Sequence, residues 1–347
     1  MDADIRSSVA TVTVEGTGYR FAAGWHEPVL DSALRAGVPL PHQCRGASCG
    51  TCKCEVLAGE VEHGWSLGLA ITDEEQAAGY CLACQAQPRS SHLHLRPVQP
   101  MSGSLAITQH EAIVIASVAE TPRVRRLELA LPAGRSLGYR PGMYAELLLP
   151  DIAPDRRYSF VSPDRGDGLL TFWIALHPHG RASGHVHEAL RAGDRVGLRG
   201  PLGNCALPPA DPADAGPSPV LALAAGTGLA PVHAILADAL ERGLSEPVSL
   251  LCSVREHAEL LGLAELERLA RRHPNFRFAY TATDSPSPLA AHARLIPELL
   301  PELHPDLRRH RLLISGAPGF VEACAARAVA LGADPQRISS DSFTPVG

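Results

Sequence analysis

Cys44, Cys49 and Cys52 stand in the spacing C-x4-C-x2-C, and Cys84 follows further along the chain. Four thiolates so spaced can hold a [2Fe–2S] cluster. Such a site needs a tight loop that turns three sulfurs inward while backbone N–H groups face the cluster. Gly46 and Gly50 are expected to make that turning cheap, because glycine enters left-handed backbone without a steric cost. Zinc is the alternative. Cys49/Cys52 with Cys81/Cys84 would supply two C-x2-C pairs, but Cys44 would then have no part. The C-x-H with C-x2-H pairing of a Rieske centre is not present.

A second constellation lies in the C-terminal half. The strand-like run Val220–Ala224 leads into Ala225-Gly226-Thr227-Gly228-Leu229-Ala230-Pro231 and then a helix-like run. That setting is what a dinucleotide pyrophosphate needs. Glycines let the backbone approach the phosphates, and a helix start offers unpaired N–H groups. An ordinary strand-end turn is the other reading of these letters.

The run PHQCRGASCGTCKCEVLAGEV, with GYCLACQ later, resembles the plant-type ferredoxin domain. The resemblance makes Cys44, Cys49, Cys52 and Cys84 the metal ligands, Cys84 being the cysteine of the L-A-C-Q element. Cys54 and Cys81 are left as packed thiols. That family usually has glycine three residues after the first cysteine, whereas here Ala47 stands there and Gly46 precedes it.

The middle of the chain carries Pro141-Gly142-Met143-Tyr144, Arg156-Arg157-Tyr158-Ser159, Gly180-Arg181-Ala182-Ser183 and Gly200-Pro201-Leu202-Gly203, in that order. The set resembles the flavin barrel of the ferredoxin–NADP reductase superfamily, whose marker is R-x-Y-S. The resemblance implies FAD, with Arg156 on its diphosphate, Tyr158 against the isoalloxazine face and Ser159 beside N5. Gly180, Arg181, Ala182 and Ser183 would hold phosphate oxygens at a helix start. Relatives often carry an arginine where Ala175 stands, so that contact is either missing or supplied by Arg181. His177, His179, His185 and His187 form two H-x-H pairs in the same segment. No acidic residue lies among them, and no metal is expected there.

The G-x-G-x-x-P form resembles the nicotinamide domain of that superfamily, which makes Gly226, Thr227, Gly228 and Pro231 cofactor-binding. Ser315-Gly316-Ala317-Pro318-Gly319 sits where relatives have Cys-Gly-x-Pro. Gly316 and Pro318 thereby join the site, and Ser315 takes the place of a cysteine near the hydride-bearing carbon. Ser340-Asp341-Ser342-Phe343 resembles the C-terminal acidic-x-Phe element, whose aromatic residue lies close to the flavin. The resemblance thus gives Tyr158, Ser159, Ser315 and Phe343 catalytic positions. After the second strand, Arg255 stands beside Glu256. An acid there disfavours a 2′-phosphate and accepts from ribose hydroxyls, so Glu256 points to NADH.

Three kinds of fold must position these residues. Residues 1–97 are expected to form an α+β, β-grasp ferredoxin domain: Thr11–Val14 alternates, Pro28–Ala36 reads as a helix closed by Gly37, and His92–Leu95 alternates again. Residues 98–109 read as a Pro/Ser/Gly-rich linker. Residues 110–212 carry short apolar runs broken by Pro and Gly, the pattern of an antiparallel β-barrel for FAD. From 213 to 347 strands and helices alternate, with strands at Val220–Ala224, Val248–Cys252, Phe276–Tyr280 and Leu312–Ser315, which argues a doubly wound parallel α/β sheet for NAD.

Composition bounds the rest. The 347 residues suit two or three domains, and 45% apolar residues give each a core. A net charge of −6 argues against nucleic acid or a membrane surface as partner. The opening MDADIRSSVATVTV has no basic head before an apolar core, so no secretory signal is read there. Nine cysteines, six of them between Cys44 and Cys84, then point to a reduced, cytoplasmic setting. No interface-like segment is left over, and a monomer is expected.

Nicotinamide gives two electrons as hydride, an iron–sulfur cluster takes one at a time, and flavin can do both. The expected order is NADH, FAD, [2Fe–2S], external acceptor. The domain order resembles the reductase components of bacterial oxygenases, among them the Rieske aromatic-ring hydroxylating dioxygenases of aromatic hydrocarbon catabolism and the soluble di-iron monooxygenases. No catalytic triad or oxygen-activating site is encoded, so oxidation is expected on a partner oxygenase component. The alternatives are a reductase for a cytochrome P450 or a deoxysugar dehydratase, and a redox-sensing protein without turnover.

Overall fold

The computed structural model describes residues 9–64, 70–101, 105–153, 155–210, 216–284 and 290–343. By compactness the chain divides into two units: Met1–Thr108 with Leu202–Asn204, and Gln109–Pro201 with Cys205–Gly347.

In the first unit the elements are β1 (Val9–Val14), β2 (Arg20–Gly24), α1 (Val29–Arg35), β3 (Lys53–Ala58), β4 (Val61–Glu62), α2 (Asp73–Ala77), β5 (Tyr80–Leu82), β6 (Gln87–Pro88) and β7 (His92–Pro97). The main sheet runs β2-β1-β7-β3-β5. β1 is parallel to β7, and the remaining pairs are antiparallel. Alternation in β1 and β7 buries Ala10, Val12, Val14, Leu93 and Leu95, and α1 buries Val29, Leu30, Ala33 and Leu34. One apolar helix stripe on one apolar sheet face is the β-grasp arrangement. A capping box between Thr72 and Glu75 starts α2. Glu75 also takes the Nζ of Lys53 at 2.6 Å, tying α2 to the strand that follows Cys52.

The second unit begins with β8 (Thr108–Thr121), β9 (Val124–Ala130), β10 (Tyr144–Leu148), β11 (Arg156–Ser159), β12 (Leu169–Ala175), α3 (Arg181–Glu188) and β13 (Arg195–Leu202). β8 starts inside the segment expected to be a linker; residues 102–104 of that segment lie outside the described residues. The sheet order is β11-β10-β13-β8-β9-β12. A bridge between Phe160 and Phe172 joins its two edges, which closes the barrel. Inside, Tyr139 stacks on Phe160 at 3.7 Å between ring centres, and Phe160 meets Phe172 at 5.2 Å.

β14 (Val220–Ala225), α4 (Leu229–Glu241), β15 (Val248–Val254), α5 (Leu263–Arg272), β16 (Phe276–Ala282), β17 (Ala290–His292), α6 (Ile296–Leu303), β18 (Arg311–Gly316), α7 (Pro318–Ala330) and β19 (Ile338–Ser342) complete it. All strands are parallel, in the order β17-β16-β15-β14-β18-β19. β14 alternates between two cores: Ala222 and Ala224 pack with α4 and α5, while Leu221 and Leu223 pack with the α6 and α7 side. The order reverses at β14, so its carboxyl end opens the crevice where such sheets bind ligands. The α4 helix starts at Leu229, earlier than the apolar period predicts, because Pro231 falls in a first turn whose N–H groups have no acceptor in the helix.

Candidate functional site

The thiol loop runs between α1 and β3. Its left-handed residues are Arg45 (φ 53°), Ala47 (φ 60°) and Gly50 (φ 71°); Gly46 is not among them. The expected economy of two glycines is thus half realised. Two residues with side chains carry the turn, at about 1 kcal/mol or more each. What holds them is contact: the Arg45 guanidinium folds back onto Asp31 of α1, and Ala47 is fully buried. The same turn aims N–H groups at sulfur. Gly46 N donates to Cys44 Sγ at 3.4 Å, Ser48 N also faces Cys44, and Ala47 N faces Cys84.

The structure brings all four expected ligand thiols together as two pairs, Cys44 with Cys49 and Cys52 with Cys84. Hydrogen bonding from Cys49 pulls the Cys44 thiol down to about 5, and hydrogen bonding from Cys52 pulls Cys84 down. The donors Cys49 and Cys52 are pushed up in turn. Among the described residues no group of three or more His, Cys, Asp or Glu is gathered for a single metal ion. Two thiol pairs under inward N–H groups instead fit a two-iron cluster. Cys54 and Cys81 face each other across β3 and β5, both buried.

The R-x-Y-S residues form β11, in register with β10: Glu146 opposes Arg157 and Ala145 opposes Tyr158. Strand alternation puts Arg156 and Tyr158 on one face and Arg157 and Ser159 on the other. Burial pushes the Tyr158 hydroxyl up to about 12, and Ser159 is buried at the strand end. On the Arg157 side a buried carboxylate fixes the strand. Glu146 accepts from Arg199 Nη2 at 2.6 Å and lies 3.7 Å from Arg157 Nε, while Arg199 also reaches Asp155 at 3.0 Å. Gly142 is required beside it, since a Cβ there would meet Cys205 O at 2.3 Å.

Gly180 is the N-cap of α3 and has no side-chain cap. The first-turn N–H groups of Arg181, Ala182 and Ser183 have no acceptor within the helix, as a phosphate cradle requires. The Ser183 hydroxyl is committed to the turn, accepting from His177 N at 3.1 Å and donating to Gly180 O at 3.2 Å. Arg181 rests on the carbonyl of Asp151 at 2.5 Å, and Ala175 ends β12.

Glu146→Gln tests the carboxylate. It would leave two guanidiniums against a neutral amide, a loss of about 2–3 kcal/mol. FAD affinity is then expected to fall about tenfold or more, with the iron–sulfur spectrum unchanged, as fluorescence titration of flavin-stripped protein would read. Unaltered affinity would separate this network from the flavin strand.

At the parallel sheet, Gly226 (φ 53°) is exposed and open, whereas Gly228 is pressed on β18. A Cβ on Gly228 would lie 2.4 Å from Ser315 O and 2.8 Å from Gly316 Cα. Pro318 is at the start of α7. Phe343 N donates to Gly316 O at 2.9 Å, so the chain's C-terminal segment returns to this point. Gly228, Ser315, Gly316 and Phe343 are therefore brought together. The Ser315 hydroxyl is buried with no hydrogen-bond partner among the described residues. Glu256 is exposed just beyond β15.

The sequence reading missed the Glu146–Arg199 pair and the seam between barrel and sheet. At that seam His233 of α4 is buried, shares a 2.8 Å hydrogen bond with Val161 O and lies 5.9 Å from the Trp173 ring. Burial pushes its pKa down, keeping it neutral. A histidine inside an apolar helix was the one available signal.

Residues 12–89 match the 2Fe-2S iron-sulfur cluster binding domain, 111–206 the oxidoreductase FAD-binding domain and 222–326 the oxidoreductase NAD-binding domain. Fold and matches define an oxidoreductase whose cofactors are [2Fe–2S], FAD and NAD. The chain belongs to the family of reductase components in which these three domains follow one another. It is 35% identical to the reductase subunit of an aromatic O-demethylase from Amycolatopsis sp., over 96% of this chain and 99% of that one. It is 30% identical to the ferredoxin–NAD(P)+ reductase component of naphthalene 1,2-dioxygenase/salicylate 5-hydroxylase systems from Ralstonia sp., over 97% and 99%. Among solved structures it is similar to an Amycolatopsis cytochrome P450 reductase, with a TM-score of 0.79 and 33% identity over 97% of this chain and 99% of that one.

Proposed function

We propose that this protein is the NADH-dependent reductase component of an oxygenase system acting on aromatic compounds. The supporting observation is that one chain joins a four-thiol site, a flavin barrel with an R-x-Y-S strand, and a glycine turn at the switch point of a parallel sheet. When bound, flavin supplies the conversion of a two-electron hydride into single electrons that the cluster can pass on. Cys44, Cys49, Cys52 and Cys84 would hold the cluster. Arg156 would neutralise the flavin diphosphate together with the first turn of α3, Tyr158 would cover the ring and Ser159 would hydrogen-bond its edge. Gly226, Thr227 and Gly228 would admit the nicotinamide pyrophosphate, and Ser315 and Phe343 would border the hydride-transfer position. Glu256, after the second strand, supports NADH. The nine cysteines, none of them in a disulfide among the described residues, support a cytoplasmic setting, and we read the protein as a monomer.

A second reading changes only the acceptor, to a cytochrome P450. It is favoured by the Amycolatopsis P450 reductase, which matches along nearly the whole chain. The test is spectroscopic. Purified protein should show flavin and iron–sulfur absorbance, bleach with NADH under anaerobic conditions and then reduce cytochrome c. Colourless protein, or coloured protein inert to NADH, would sink the reading. Coupled NADH oxidation with a Rieske oxygenase and with a P450 then separates the two acceptors.

A further inference from the structure

Resting on the NADH reading above, we propose that Glu259, with Asp284 beside it, sets this chain's selectivity between NADH and NADPH. Ser253 of β15 is in register with Ala225, the last residue before the glycine turn. The ribose of a dinucleotide on that turn reaches the end of the second strand. There the segment Ser253–Glu259 contains one Lys or Arg residue, Arg255, the natural cation for a 2′-phosphate.

That cation is already taken. Its Nη2 donates to Glu259 Oε1 at 3.0 Å, and its backbone N–H donates to Oε2 of the same carboxylate at 3.1 Å. An exposed ion pair alone is worth little, because two long side chains must be ordered to form it. Here the main chain fixes the carboxylate first, so the guanidinium meets a partner that is already in place. Asp284, just past β16, donates its N–H to Arg255 O at 2.8 Å. Its carboxylate and that of Glu256 both act on the guanidinium electrostatically. Three carboxylates around one guanidinium leave a local charge of −2. A 2′-phosphate carries about −1.5 to −2 and would enter that field with no free Lys or Arg from the segment Ser253–Glu259 to meet it. A 2′-hydroxyl has no such difficulty, and on the NADH reading its acceptor is Glu256, since both Glu259 oxygens are committed to Arg255.

The test uses the full-length protein with 5′-ADP and 2′,5′-ADP as probes, measured by calorimetry, so that neither flavin nor turnover enters the readout. Wild type should bind 5′-ADP more tightly than 2′,5′-ADP. Glu259→Gln should leave 5′-ADP binding unchanged, which certifies the fold, and tighten 2′,5′-ADP about tenfold. Adding Arg255→Ala to Glu259→Gln should abolish that gain, and Asp284→Asn should give a smaller gain of its own. Unchanged 2′,5′-ADP affinity in Glu259→Gln overturns the proposal, as does a gain that survives Arg255→Ala. A wild type that prefers 2′,5′-ADP, or binds neither probe, instead overturns the NADH reading on which it rests.

Discussion

Cys84→Ser is expected to abolish the iron–sulfur cluster while leaving NADH reduction of the flavin intact, and Cys81→Ser is expected to keep both. The two cysteines are close in sequence and both buried, but their surroundings differ. Cys84 accepts a hydrogen bond from Cys52, receives the N–H of Ala47 and has Gln85 Nε2 at 4.0 Å. These donors favour a charged sulfur, which is what an iron ligand must be. Cys81 faces Cys54 from the opposite strand and is wholly enclosed. Burial pushes its thiol up to about 12, the state of a packed neutral side chain. Iron analysis and low-temperature EPR of the reduced proteins read the difference directly. Cluster loss in Cys81→Ser with retention in Cys84→Ser would reverse the ligand assignment.

The second large effect is expected from Gly228→Ala. The added methyl would meet Ser315 O at 2.4 Å, Ser315 C at 2.6 Å and Gly316 Cα at 2.8 Å. All three are backbone atoms, so no rotamer change relieves the contact. Either the glycine turn or the end of β18 must move, and both border the crevice proposed above for the nicotinamide. Overpacking of this kind costs about 1–3 kcal/mol. Carried into nucleotide binding and hydride transfer, it should slow flavin bleaching by NADH about tenfold to a hundredfold. Dithionite should still reduce both centres, because neither holds its cofactor through this turn. Stopped-flow absorbance with NADH and with dithionite makes the comparison, and wild-type bleaching by NADH would refute the steric argument.

What could be read from the letters was local. The C-x4-C-x2-C spacing, the R-x-Y-S strand and the strand–glycine–helix passage each lie within a few residues, so their chemistry and their elements coincide. The turn at Ala47 was less legible. Its left-handed backbone is a dihedral that composition does not encode, and the departure from glycine there gave the only hint. Glu146 and Arg199 meet across strands far apart in sequence, so neither residue announces the pair. No element was expected over α6, whose two prolines, Pro297 and Pro301, blur a helical pattern although the first sits in the opening turn. β19, Ile338-Ser339-Ser340-Asp341-Ser342, lacks the apolar run of a central parallel strand because, among the described residues, it is an edge paired with β18. Arg255 and Glu256 drew notice as neighbours, while Glu259, one helical turn from the arginine, holds it.

Val124, Val161 and Trp173 from the barrel share one apolar core with Ala222, Leu250 and Leu266 of the parallel sheet and its helices. Oil of that kind has no natural cleavage plane. A protein engineer could not lift out the flavin half and graft it elsewhere without exposing Trp173, whose ring end lies 2.7 Å from where a Cβ on Gly262 would sit. Interchange of parts between such reductases is therefore expected to respect this junction. A chimera cut between Cys205 and Val220 should aggregate.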